Sequence, residues 1–296
     1  MHTGPRLHGG FFYRPKKRIL LRMALRTRIA PTPSGFLHLG NALSFLHTAA
    51  RARALGAKLL LRIDDMDRER VRPAYVDDIF ETLEFLQIQP DEGPGDSLDF
   101  EAAWSQRLRL PLYNEALEQL ARQDAVFACT CSRADLQREA TQGYAGTCIR
   151  KGIPLETPGA AWRLHTASSS PVEIRDHSGK LLQAALPDSQ QFFIVRKRDG
   201  FPSYQLSSLA DDVHFGVNYI VRGADLWEST IAQLYLARVL GKGSFLETTF
   251  EHHPLVCDEK GEKLSKSAGA TSISHLRRQG MTLDEFLKKW GNAFYP

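Results

Sequence analysis

Residues 28 to 41 read RIAPTPSGFLHLGN and set Pro31, Pro33, Gly35, His38 and Gly40 close together, directly ahead of a helical run. A strand, a turn shaped by proline and glycine, and a helix start bring backbone N–H groups and the positive end of a helix dipole to one point. Phosphates bind at such points. His38 can donate to a phosphate there, Gly40 lets a nucleotide approach the backbone, and Asn41 can donate to phosphate or ribose. The stretch is neither G-x-G-x-x-G nor G-x-x-x-x-G-K-[ST], so dinucleotide-binding and P-loop folds are not indicated. Far along the chain, KLSKS at residues 263 to 267 sets Lys263 and Lys266 among hydroxyls. Two such ammonium groups suit neutralisation of a polyphosphate as charge develops in a phosphoryl-type transition state. Taken singly, His38 reads as a helix-entry histidine and KLSKS as a solvated loop. At opposite ends of one α/β unit they point to nucleotide chemistry. A third group is Cys129, Cys131, Tyr144 and Cys148, three thiolates and one oxygen that can enclose a tetrahedral Zn2+. Three reduced cysteines are the other reading of the same residues, and Cys257, unaccompanied, reads as structural.

The elements that must position these residues are legible in outline. TRIA suits a short buried strand, and Ala42, Leu43, Phe45, Leu46, Ala49 and Ala50 recur at helical spacing up to Gly56. KLLLRID reads as a second buried strand, and YVDDIFETLEFL as a helix burying Val76, Ile79, Phe80, Leu83 and Leu86. Strand, helix, strand, helix of these lengths is the pattern of a parallel α/β architecture. A helix near residues 105 to 123 and the cysteine group follow, then a segment rich in Pro, Ser, Thr and Gly over 150 to 190 with β-like AWRLH and VEIRD. QFFIVRK, YIVRG and HHPLV return as strands, interleaved with the helical run STIAQLYLARVLG. The expected organisation is a basic extension over 1–23, a first catalytic half over 24–110, an inserted subdomain with the zinc site over 111–190, a second catalytic half over 191–262, and the KLSKS loop with a short tail over 263–296.

Composition narrows the class. With 296 residues, 43% of them hydrophobic, the chain can build one large domain or two smaller ones, which excludes disorder and fibrous folds. The formal charge is +4, but Arg6, Arg14, Lys16, Lys17, Arg18 and Arg22 stand in residues 1 to 23 without an acid, leaving residues 24 to 296 slightly acidic. Net charge therefore singles out no nucleic-acid partner. The basic segment lacks a sustained apolar stretch and a small-residue cleavage site, and reads as a dispensable extension ahead of Met23 rather than a secretory signal. No run approaches the roughly 18 apolar residues that span a bilayer. A cytoplasmic protein without membrane contact is expected.

HLGN paired with KLSKS resembles the two signature motifs of class I aminoacyl-tRNA synthetases. RIAPTPSG, LRIDDMD and RDGFPSYQLSSLADDVHFGVNYIVRGADL are similar, in order and at family-like spacing, to the glutamyl branch of that class. The resemblance is strongest to the glutamyl-queuosine tRNA(Asp) synthetase family, a truncated paralogue of glutamyl-tRNA synthetase whose zinc pattern is Cys-x-Cys followed by Tyr-x-x-x-Cys. Residues 268 to 296 are too few for a folding domain, which needs at least about 50 residues, so an anticodon-binding domain is not expected.

The resemblance implies a Rossmann-like α/β class I catalytic domain with a parallel sheet and an inserted, zinc-containing, acceptor-binding subdomain. It implies that Arg28 and Arg222 hold the side-chain carboxylate of glutamate, a role suited to a guanidinium fork. Ile29, Ala30, Pro31 and Thr32 would shape the amino-acid pocket and Tyr204 would line it, while His38, Gly40, Asn41, Lys263 and Lys266 would serve ATP and its Mg2+. Two positions depart from the family. Asp64 stands where a glutamate usually binds the substrate's α-ammonium, which shortens the reach by about 1.5 Å, a gap that water can bridge. Asn41 replaces a histidine, and Asp65 and Asp67 can equally cap the next helix. The implied reaction is attack of the glutamate α-carboxylate on the α-phosphorus of ATP, giving glutamyl-adenylate and pyrophosphate. The glutamate then passes to the cyclopentenediol of queuosine in the anticodon of tRNA(Asp), with the chain acting as a monomer. A minimal synthetase charging a tRNA 3′ end and an inactive tRNA-binding paralogue are the competing readings; a plain nucleotidyltransferase leaves the arginines and the cysteines unexplained.

Overall fold

The computed structural model describes residues 24–132, 134–135, 143–166, 170–255 and 272–291. The basic extension, Lys263, Lys266 and Cys257 lie outside the described residues.

Strand β1, Arg26–Ile29, pairs in parallel with β2, Lys58–Leu61, with Arg28 opposite Leu60. Helix α1, Leu39–Leu55, makes the crossover and ends on Gly56 at φ 63°, a left-handed conformation that glycine adopts without a Cβ clash. The expected strand KLLLRID shortens to Lys58–Leu61, but Arg62 N and Asp64 N still donate to Ile29 O and Pro31 O, at 2.9 Å each, so the chain keeps running beside the RIAPT turn. Helix α2, Pro73–Phe85, follows, with proline in its first turn, where no N–H is needed. The expected helix near 105 to 123 is broken: a tight turn over Gln106–Arg109 precedes α3, Leu110–Arg122, because Pro111 suits only a helix start.

An antiparallel sheet comes next. Its order is β3, Val126–Cys129, then β4, Ala161–Leu164, then β7, Ile194–Arg196. Between β4 and β7 the hairpin of β5, Val172–Asp176, and β6, Leu181–Ala184, leaves to join another sheet. There β5 runs parallel to β9, Thr249–His253, which in turn runs parallel to β8, Tyr219–Gly223. Pairing thus crosses the expected bounds of the insertion, since β5 bonds to β9 outside it and β7 bonds into it. Helix α4, Tyr204–His214, leads into β8, and α5, Trp227–Val239, crosses over to β9. The expected strand HHPLV begins earlier and stops at His253, because Pro254 has no N–H for the ladder.

The two parallel units abut through β1 and β8. Asn218 N donates to Arg26 O at 3.1 Å, Arg26 N donates to Asn218 Oδ1 at 2.9 Å, and Arg28 Nη1 donates to Val221 O at 3.2 Å. The strands therefore lie in the order β2, β1, β8, β9, β5, β6, with the carboxyl ends of the first four on one edge. Leu60, Tyr113, Ile220, Leu234 and Phe250 belong to one core, and Ile29, Leu43, Ile79 and Phe100 to a second. Helices α6, Ile273–Arg278, and α7, Leu283–Trp290, seal the second core with Ile273, Leu276 and Phe286. Among the described residues no helix is long and apolar enough to cross a membrane.

Candidate active site

A cleft of about 330 Å3 opens at the carboxyl edge between β1 and β8, where crevices of parallel α/β sheets take their ligands. Arg28, Ile29, Ala30, Pro31, Thr32, Asn41, Tyr204 and Arg222, all expected at the site, line it. The chain order explains the convergence: β1 delivers Arg28 and the proline turn, α1 begins at the turn's end, β8 delivers Arg222, and α4 begins with Tyr204. Sequence distances of up to 194 residues collapse because β1 and β8 are neighbours.

Both arginines are buried. Arg28 Nε donates to Asp212 Oδ1 at 3.1 Å, so this guanidinium is partly neutralised from behind. Arg222 Nη1 donates to Gln233 Oε1 at 3.0 Å, a neutral partner, and its Nε and Nη2 have no hydrogen-bond partner among the described residues. Burial brings Arg222 down to about 10, with Tyr204 opposing and Arg28 adding to the fall. A buried cation facing another cation across a cleft, with two donors unused, is a site for an anion.

His38 occupies the N-cap position of α1, and its N–H donates to Asn41 Oδ1 at 3.1 Å, so the fourth residue of HLGN closes the helix start. A Cβ on Gly40 would stand 3.1 Å from His38 Cε1; the glycine gives room to the histidine ring. The described residues flanking the KLSKS segment lie at the same place. Leu255 packs beside Gly223, and on the other side Ile273 N donates to Leu37 O at 2.8 Å while Ser272 bridges to His38.

Asp64 is buried but is not among the residues lining the cleft. Both its oxygens accept from Arg62, Oδ1 from Nε at 2.7 Å and Oδ2 from Nη2 at 3.0 Å. Burial raises Asp64, with Arg62 opposing. Arg62 also donates to Asp212 Oδ1 at 2.6 Å, and three aspartates, Asp64, Asp212 and Asp211, outweigh the lowering by burial and keep it charged. Asp211 accepts from Arg109, from Tyr113 at 2.7 Å and from Gln106 at 2.9 Å. Burial disfavours its charge, and Arg109 and Arg62 overcome that. Sequence reasoning missed Arg62, Asp211 and Asp212; two adjacent acids on a helix without lysine or arginine, YQLSSLADDVH, were the available signal. A second missed group joins α1 to β9: Glu251 accepts from His47, Arg51 and Tyr219, and Ser44 at the cleft bonds His253 Nε2 at 2.9 Å.

The cysteine group assembles apart from the cleft, at the end of β3. The sulfurs of Cys129, Cys131 and Cys148 lie within 4.8 Å of one another. Tyr144 Oη accepts from Cys148 N at 2.8 Å and sits 3.5 Å from Cys129 Sγ, so the phenol oxygen faces the sulfurs. Gly146, at φ +80°, turns the chain between Tyr144 and Cys148. Burial pushes Cys131 up to about 12; at Cys148 burial is overcome by hydrogen bonds from Tyr144 and Thr130, which bring it down to about 7. Three convergent sulfurs and an oxygen fit a tetrahedral divalent metal.

Residues 24–290 match the family of tRNA synthetases class I (E and Q), catalytic domain. The chain is 36% identical over 258 residues to glutamyl-Q tRNA(Asp) synthetase of Burkholderia cenocepacia, covering 84% of this chain and 82% of that one. It is 33% identical to glutamyl-Q tRNA(Asp) synthetase of Rhodobacter capsulatus, covering 86% of this chain and 95% of that one. Among solved structures, a glutamate tRNA ligase from Elizabethkingia meningosepticum in complex with its amino acid shares the fold, with a TM-score of 0.68 at 24% identity over 83% of this chain. This chain spans 52% of the length of that enzyme.

Proposed function

The chain belongs to the class I (E and Q) tRNA synthetase catalytic-domain family, and we propose that it activates L-glutamate with ATP and transfers it to queuosine in the anticodon of tRNA(Asp). The observation that carries the reading is the buried Arg222 in the cleft beside Arg28, with two guanidinium nitrogens that have no hydrogen-bond partner among the described residues, next to the helix start that carries His38. The names of the relatives supply the acceptor.

In this reading Arg222 and Arg28 bind the glutamate side-chain carboxylate, the Ile29–Thr32 turn and Tyr204 enclose the carbon chain, and the α-carboxylate faces the start of α1. There an α-carboxylate oxygen forms a bond to the α-phosphorus of ATP while the bond to the bridging oxygen breaks, and pyrophosphate leaves. His38 and Asn41 orient the phosphates; Lys263 and Lys266 neutralise charge, as the family pattern implies. No side-chain nucleophile is needed, because position and fixed charge lower the barrier. Mg2+ bound with ATP would screen the phosphate charge. A hydroxyl of queuosine then attacks the glutamyl carbonyl, and AMP departs.

Cys129, Cys131, Cys148 and Tyr144 would hold one structural Zn2+, which would fix the turn after β3 within the antiparallel sheet. That unit is the part of the chain we assign to the anticodon stem-loop. A reducing cytoplasm suits the free thiols. The test is transfer of labelled glutamate, with Mg-ATP, to tRNA(Asp) carrying or lacking queuosine, with aspartate and glutamine alongside. Label confined to glutamate and to queuosine-containing tRNA is expected; label that depends on the 3′-terminal adenosine instead would assign the chain to 3′-end charging.

A further inference from the structure

Resting on the assignment of the antiparallel sheet to the anticodon stem-loop, we propose that a second cavity, on that sheet beside the cysteine group, is a phosphate site for the RNA backbone. Arg163 forms its wall, and Lys197 and Arg198 form its rim.

The cavity has a volume of about 360 Å3, and its walls come from the end of β3, from β4, and from β7 with the turn that follows. Arg163, on β4, is only 6% exposed. Its guanidinium carbon lies 3.9 Å from the centre of the Tyr144 ring, and its Nη1 donates to Phe192 O at 2.9 Å, a neutral acceptor. Its Nε is buried with no hydrogen-bond partner among the described residues, and no described carboxylate is paired with this arginine. A cation removed from water without a counter-ion is costly, and the aromatic face offsets only part of that cost. An anion in the cavity would offset the rest.

The rim adds charge of the same sign. Arg198 Nη2 donates to Thr130 O at 2.8 Å and to Cys131 O, which fixes this side chain against the end of β3. Among the described lining residues the one acid is Asp199, paired with Lys197 at 2.8 Å. Three cations face one carboxylate, although residues 24 to 296 as a whole are slightly acidic. Two features favour RNA over a small free anion. The turn that carries Lys197, Arg198 and Asp199 closes with Lys197 N donating to Phe201 O at 2.7 Å, and it runs through Ser203 into Tyr204, which lines the glutamate cleft. One short segment thus joins the two cavities. Phe201 is exposed beside Lys197, whose Nζ lies 5.7 Å from the ring, and an open aromatic face next to cations suits an unstacked base of a loop. A backbone contact of this kind positions the acceptor without reading its sequence.

The experiment is fluorescence anisotropy of the full chain, without ATP, with an RNA hairpin of the tRNA(Asp) anticodon stem-loop carrying queuosine, between about 50 and 200 mM salt. Arg163→Met is expected to weaken binding by about tenfold or more. Its plot of log affinity against log salt is expected to be shallower by about 0.7 to 0.9, the loss of one phosphate contact, at the parent's metal content by elemental analysis. Asp199→Asn replaces no buried group and keeps the oxygen that accepts from Phe201 N; by removing the lining carboxylate it is expected to tighten binding by about twofold to fivefold. An unchanged salt slope in Arg163→Met overturns the inference, and a lowered metal content with it would make Arg163 the counter-charge of the thiolates instead. Unchanged or weaker binding by Asp199→Asn also overturns it. Calorimetry with inorganic phosphate covers the other source: heats that follow these substitutions while the hairpin affinity does not would assign the cavity to a free anion. Failure of the parent to bind the hairpin overturns the assignment of the sheet to the stem-loop, and this inference with it.

Discussion

Arg222 is held in a conformation that the free protein has little reason to favour. It is buried against Gln233, repelled by Arg28, and has two nitrogens without hydrogen-bond partners among the described residues. Such a group is stable only relative to a bound anion, so its replacement must move ligand binding and apo stability in opposite directions. Arg222→Met is expected to raise the urea midpoint of the free protein while raising the KM for glutamate in pyrophosphate exchange by more than about thirtyfold. Arg222→Lys is expected to restore little of that loss, since a single ammonium lacks the planar fork. A variant that weakens glutamate binding and also destabilises the free protein would mark Arg222 as structural. The residue itself was reached through the resemblance of its VRG segment to the glutamyl branch, and it lines the cleft. Its unpaired state was not legible in the sequence, because that depends on Gln233, eleven residues away on α5, offering an amide where a carboxylate could have stood.

At the scale of elements, the cleft exists because α1 and β9 are fastened to each other. Glu251 on β9 gathers His47 and Arg51 from α1, with Tyr219 from β8, and Ser44 meets His253 one turn nearer the helix start. The helix that positions His38 and the strand that leads toward KLSKS therefore move as one body. Burial alone would raise Glu251, but the hydrogen bonds from His47, Tyr219 and Arg51 hold it down to about 2. A depressed carboxylate contributes stability that is present above its unfolded value of 4.5 and is lost as pH falls through its folded value. In urea titrations of parent and Glu251→Gln, the stability gap between them is expected to be full at pH 5 and to shrink steadily toward pH 2. A gap that does not change over that range would show that Glu251 is not ionised in the fold. The sequence disclosed α1 through its periodicity and Gly56, but not this clasp. Period and capping are local signals, whereas the pairing of His47 with Glu251 spans 204 residues and becomes visible only when β1 and β8 are known to be neighbours. The breaks at Pro111 and after His253 were legible in principle, since proline excludes a helix interior and a ladder donor alike.

On the scale of the whole molecule, two chemistries are kept in separate cores. The cleft is framed by the parallel strands, while Cys129, Tyr144 and Cys148 form a small cluster of their own with Phe127, on the antiparallel sheet. The hairpin of β5 and β6, which departs from that region to extend the parallel sheet, ties the units together without placing a cysteine near the cleft. Damage to the cysteine cluster should therefore separate the two half-reactions. Cys131 is the partly exposed member, so Cys131→Ser removes a sulfur without opening a large cavity in a core. By elemental analysis the parent is expected to carry one metal ion per chain and the variant less, while the variant keeps glutamate-dependent pyrophosphate exchange. Its transfer of labelled glutamate to tRNA(Asp) is expected to fall by more than tenfold, because the metal-fixed turn is where the acceptor would be gripped. Loss of both half-reactions together, at full metal content, would instead mean that the cysteines support the catalytic fold directly. The separation of the strands that carry Arg28 and Arg222 from those that carry the sulfurs argues for the first outcome.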